Sequence, residues 1–83
     1  MDNALETKIR LLRSLEGHGY AIAYYLLQNE TLAEEATRAA LLEAGCDDRL
    51  REWPAEAQRE KFARLVMSQA IAAKREWLLR QAE

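Results

Sequence analysis

The sequence predicts an all-α protein, a small bundle of about four helices with a long helix at its C-terminal end. Three observations predict it. Alanine, leucine, glutamate and arginine dominate a chain of 83 residues that holds three glycines and one proline, the usage of helical bundles. Apolar residues recur at intervals of three and four along most of the chain, with almost no strand-like alternation. Residues that start and stop helices separate these periodic stretches.

The elements follow in order. Asn3 can cap a first helix, answered by Glu6 at the third helical position, with Leu5, Ile9, Leu12 and Leu15 at helical spacing. Gly17-His18-Gly19 then either ends that helix or continues it, the glycines letting another segment come close. Tyr20, Ala23, Tyr24 and Leu27 resume the period through Gln28, and Asn29-Glu30 form a turn. In TLAEEATRAALLEAG, residues 31–45, Thr31 and Glu34 have the spacing of a capping box and Gly45 suits a left-handed C-terminal stop. Asp47 or Asp48 can cap a short turn running to Trp53, and Pro54 suits the first position of a new helix. In that last helix Phe62, Leu65, Val66, Ala70, Ala73 and Trp77 form one apolar stripe.

The 31–45 helix is unusual in what it offers a core. Leu32, Ala33, Ala36, Ala39 and Ala40 share a face on the helical wheel, so close approach of a neighbour is expected there. Glu34, Glu35 and Arg38 lie on the other side, flanked by Leu41 and Leu42. Leucines beside a charged strip are either ordinary exposed surface or the anchor of a protein interface with a charged rim.

Length and composition describe a single domain over residues 1–83, with a modest core and a soluble, folded character. The lone Cys46 cannot form an internal disulfide, and neither a signal pattern nor a membrane-spanning apolar run occurs, so a cytoplasmic protein is expected. The formal charge of −2 is uneven. Residues 1–56 hold six Lys or Arg against eleven Asp or Glu, and residues 57–83 hold six against three. The halves can serve different partners or attract each other.

Little in the chain suggests catalysis. His18 and Cys46 make at most a distant pair, no nucleophile elbow or phosphate loop is present, and the carboxylates fall on helix surfaces. No enzyme activity, metal or cofactor is expected. Lys61, Arg64, Lys74, Arg75 and Arg80 can supply a positive face for nucleic acid, with Trp77 available to stack on a base. Against that stands a last helix that buries Trp77 and pairs its cations with the acidic front half.

The stretch AYYLLQNETLAEEATRAALLEA resembles the start of region two of bacterial RNA polymerase sigma factors, above all the extracytoplasmic-function group. Leu26-Leu27 stands for the family's leucine pair, Ala33-Glu34-Glu35 for its alanine-acid-acid step, and Leu41-Leu42 for the phenylalanine-leucine step beyond. KFARLVMSQAIAAKREWLLRQ takes the place of the promoter-reading helix, so the resemblance runs over roughly residues 20–80. It implies a module that docks the 31–45 helix on the clamp of the polymerase largest subunit and turns its last helix to promoter DNA. Glu34, Glu35, Arg38, Leu41 and Leu42 are then the partner-binding residues.

The chain departs from the family at Arg38-Ala39, where glutamine and an acid are usual, and at Gln69-Ala70-Ile71-Ala72, which lacks an arginine-asparagine step. No second DNA-binding domain is expected beyond Glu83, which would make the chain a truncated, repurposed or decoy module. The alternative function is a small helical protein-interaction or homo-oligomerisation domain with no nucleic-acid role, which a symmetric dimer burying Leu41, Leu42 and Trp77 would favour.

Overall fold

The computed structural model describes residues 3–82, with side chains from Leu5 onward. Three α-helices make the bundle: α1 (Asn3–Leu27), α2 (Glu30–Gly45) and α3 (Ala55–Gln81), with a single 3-10 turn at Leu50–Glu52 between the last two. No strand occurs among the described residues, and no helix there is long and apolar enough to cross a membrane. The Asn3 cap falls outside the described side chains.

The count is three helices instead of about four because Gly17-His18-Gly19 does not interrupt α1. Two glycines cost a helix roughly 1 kcal/mol each in propensity, and a contact with α3 explains why the second is tolerated. A Cβ at Gly19 would overlap the Phe62 ring and crowd a Val66 methyl. Phe62 and Val66 have no exposed surface, and Gly19 is the notch that lets them in. Gly17, by contrast, faces open space.

The turn from α1 to α2 also differs from expectation. Gln28 has φ 52°, the only left-handed non-glycine among the described residues. Its backbone N–H donates to Tyr24 O at 2.7 Å, and its side-chain amide donates to Tyr25 O at 3.0 Å, so it closes the end of α1. Asn29 is the N-cap of α2: its backbone is extended and its side-chain oxygen accepts from Leu32 N at 2.9 Å. Thr31 therefore lies inside the helix and is not the cap. Two residues with capping chemistry stand two positions apart, and the point at which α1 ends selects Asn29. Gly45 is the last residue of α2 with no positive φ, so it is no left-handed stop; Cys46 follows in right-handed conformation and bonds back to Leu42 O and Glu43 O.

The buried stripe of α2 is Ala33, Ala36, Thr37, Ala40 and Ala44, rotated slightly from the expected one. Leu32 and Ala39 are half-buried at its edge. Thr37 is accommodated because its hydroxyl donates to Ala33 O at 2.7 Å. With these small side chains α2 can lie close to both neighbours.

Asp47 opens the following turn by accepting from Arg49 N at 3.0 Å, and Lys8 of α1 reaches Asp48 at 2.8 Å. Pro54 stands one residue before α3, as its N-cap, with φ −58°. Gln58 bonds back to Pro54 O through its backbone and to Leu50 O through its side chain. Phe62, Val66 and Ala70 are buried as the stripe requires, with Leu65 and Ala73 partly covered. At 1.5 Å per residue α3 is about 40 Å long and α2 about 24 Å, so α3 runs past its partner. Every described residue from Lys74 onward is exposed, and the molecule extends 52 Å along its long axis.

Two pairs of substitutions check these assignments in denaturant titrations. Asn29→Ala is expected to cost about 1 kcal/mol and Thr31→Ala close to nothing. Gly17→Ala is expected to stabilise by about 0.5–1 kcal/mol through propensity. Gly19→Ala is expected to destabilise by about 1–3 kcal/mol, because its methyl enters the space of the Phe62 ring. Equal responses at the two glycines would show that the notch is absent.

Candidate interaction surfaces

Two exposed faces carry the residues singled out from the sequence. On α2, Glu34, Glu35, Arg38 and Leu42 are all exposed, and Leu42 keeps 68 % of its surface. Leu41 is set apart from them. It is half-buried and packs against the core at the junction with α1, so it does not share the free side of the helix with Leu42.

Glu34, Arg38 and Leu41 line a groove between α1 and α2, completed by Glu16, Tyr20 and Thr37. Tyr20 stacks on Tyr24 with ring centroids 6.1 Å apart. Partial burial, followed by the negative charges of Glu30 and Glu34, raises the Tyr20 phenol above its ordinary pKa. It therefore stays a neutral hydrogen-bonding group beside Arg38 at physiological pH. Glu16 and Tyr20 were not legible as members of this face, because which flank of α2 meets α1 is a matter of packing. Glu35 lies on the opposite flank, in a second groove with Leu32, Ala36, Ala39 and the α3 residues Gln69, Glu76, Trp77 and Arg80.

The five α3 cations singled out from the sequence do not form one patch. At about 100° per residue, Lys61, Arg64 and Arg75 fall within roughly 60° of one another on the outer side of the helix. Arg64 and Arg75 are exposed and Lys61 half-buried. Lys74 points elsewhere, its ammonium 5.4 Å from the centre of the Trp77 ring. Arg80 is held by Glu76 at 2.8 Å. Trp77 is not buried in the stripe; it keeps 36 % of its surface at the edge of the α2–α3 groove.

The front-to-back charge pairing considered from the sequence is not how these ion pairs run. Lys8–Asp48 lies within the front half, and Glu76–Arg80 lies within α3. The contact that does join acidic α2 to α3 is Gln69 Nε2 donating to Glu43 at 2.7 Å. His18 and Cys46 are both exposed, and no metal-ligating cluster occurs among the described residues.

A third face was not singled out from the sequence at all. Where α3 overruns the end of α1, Leu26, Leu27, Ala70, Ile71, Lys74, Arg75, Leu78 and Leu79 enclose an open groove of about 590 Å³. The available signal was the difference in length between α2, ended near Gly45, and a helix with no breaker after Pro54.

The Lys8–Asp48 pair gives a titration test. The hydrogen bond from Lys8, and then its charge, lower the Asp48 pKa. A depressed carboxyl favours the fold above its unfolded pKa, and that contribution disappears as pH falls through the lower folded value. Carbon-detected NMR is expected to show Asp48 titrating below the ordinary aspartate value, and Lys8→Met is expected to return it there. An unchanged Asp48 curve in the variant would remove the pair from solution.

The chain matches no model of a known protein family, no curated protein and no solved structure.

Proposed function

We propose that this chain is a non-enzymatic, sigma region-two-like helical module that docks on the clamp of the RNA polymerase largest subunit through α2, with the outer face of α3 available to promoter DNA. The observation that carries the reading is the two-sidedness of α2. One side is a buried stripe of small residues, and the other presents Glu34, Glu35, Arg38 and Leu42 to solvent. A leucine centred among charges is the composition of a small docking surface with a polar rim. The order of elements adds support: a helix ending in Leu26-Leu27, a two-residue turn, an alanine-acid-acid helix, then a long helix carrying Lys61, Arg64 and Arg75 on one side.

The groove geometry refines the docking residues. Glu34, Glu35, Arg38 and Leu42 make the contact, and Leu41 holds α2 against α1. The DNA-facing set narrows to Lys61, Arg64 and Arg75, since Lys74 lies on another side of α3 and Arg80 is held by Glu76. A helical interaction domain with no nucleic-acid role is the second reading, favoured by the apolar groove beside α3.

Binding to a purified polymerase clamp helix pair tests the proposal. Leu42→Asp is expected to abolish binding without changing helicity, because a charge buried at an interface centre costs several kcal/mol while an exposed leucine contributes little to the fold. Leu41→Asp is expected to lower the melting temperature instead. Arg38→Gln is expected to strengthen clamp binding by restoring the family's polar residue. Clamp binding that is untouched by Leu42→Asp would reject the proposal.

A further inference from the structure

The groove beside the overhang of α3 is apolar on its floor and basic at its edge. Ile71, Leu78 and Leu79 of α3 keep 58 %, 51 % and 64 % of their surface, and Leu26 of α1 keeps 46 %. They are neighbours in one concavity, not scattered leucines. Among the described residues, the charged ones that line it are Lys74 and Arg75, and no carboxylate does. The acid nearest in sequence, Glu76, faces the α2 side and is tied to Arg80. From Ala70 to Leu79 the floor runs about 14 Å, between two and three helical turns.

We infer that this groove binds an amphipathic helix of a protein partner, one that carries apolar residues at helical spacing and acidic residues along its flanks. The apolar side chains of the partner sit on Leu26, Ile71, Leu78 and Leu79, and its carboxylates meet Lys74 and Arg75. This is helix-in-groove recognition, in which apolar anchors supply affinity and flanking charge selects the partner. A second copy of this chain fits less well. A two-fold contact sets each patch against itself, so the Lys74 and Arg75 edges of two overhangs would face like charge. Nucleic acid fits less well because its phosphates have no use for a floor of leucine and isoleucine. The inference does not depend on the clamp-docking reading, which uses the exposed side of α2; it shares only Arg75 with the proposed DNA-facing side of α3.

The test uses the full chain and two fluorescein-labelled synthetic peptides of about 18 residues, identical in their leucine positions, one flanked by glutamate and the other by lysine. Fluorescence anisotropy is expected to show the glutamate-flanked peptide binding at least about tenfold more tightly. Ile71→Asp and Leu78→Asp are each expected to abolish that binding, with circular dichroism and melting temperature unchanged because both positions are exposed. The double variant Lys74→Glu/Arg75→Glu leaves the apolar floor intact and is expected to invert the preference between the peptides. Equal affinity for the two peptides, no binding of either, or binding that survives Leu78→Asp would overturn the inference. So would sedimentation showing a dimer that Leu78→Asp dissociates, since the occupant would then be a second copy. Clamp binding measured on the same Leu78→Asp protein separates the two surfaces. It is expected to persist, and its loss would place this groove within the polymerase contact and reject the independent site.

Discussion

The contact between Phe62 and Gly19 governs the architecture. Phe62 is the largest fully buried side chain among the described residues, and its ring occupies the space that any other residue at position 19 would claim. Because the ring seats there, α1 runs unbroken through a Gly-His-Gly segment, and because α1 is unbroken its far end delivers Leu26 and Leu27 beside Ala70 and Ile71 of α3. A break at Gly17 would have sent the second half of α1 in another direction and left no wall for the groove beside the α3 overhang. One aromatic ring thus sets the number of helices, their mutual direction and the position of an exposed apolar surface some turns away.

The rest of the core is thin by comparison. Among the described residues, six of the eleven buried hydrophobic ones are alanines, four of them on α2. Each alanine buries little apolar area, so stability rests on Leu15, Leu27, Leu50, Phe62 and Val66. What the alanines supply is proximity. They let α2 lie close against both α1 and α3 while its outer edge stays free to carry charge and Leu42. The two faces of α2 answer different demands, one for packing distance and one for surface chemistry.

Much of this was legible in the residues. The helix over 31–45, the start of α3 after Pro54, and the burial of Phe62, Val66 and Ala70 follow from spacing and punctuation, which are local properties. The exposure of Glu34, Glu35, Arg38 and Leu42 follows from the wheel of α2 alone. The failures share one cause, dependence on another part of the chain. Gly17-His18-Gly19 reads equally as a break or as a point of close approach, because the ring that decides between them lies in α3. Thr31 outranks Asn29 as a cap only until the end of α1 is known, and Gln28, not a glycine, takes the left-handed position that ends it. Leu41 reads as exposed because nothing local says which flank of α2 meets α1. The groove at Leu26, Ile71, Leu78 and Leu79 needs both the register of α1 against α3 and the length by which α3 overruns it.

The unbroken first helix carries a consequence for the order in which the chain becomes structured. Its weakest point by intrinsic preference is the glycine pair, and the residue that repays that weakness lies in α3, which leaves a ribosome after α1 and α2. During synthesis the glycine pair lacks its contact with the Phe62 ring until α3 has been made. The α1–α2 hairpin therefore lacks one of its supports on its own, and cooperativity runs from α3 back to α1.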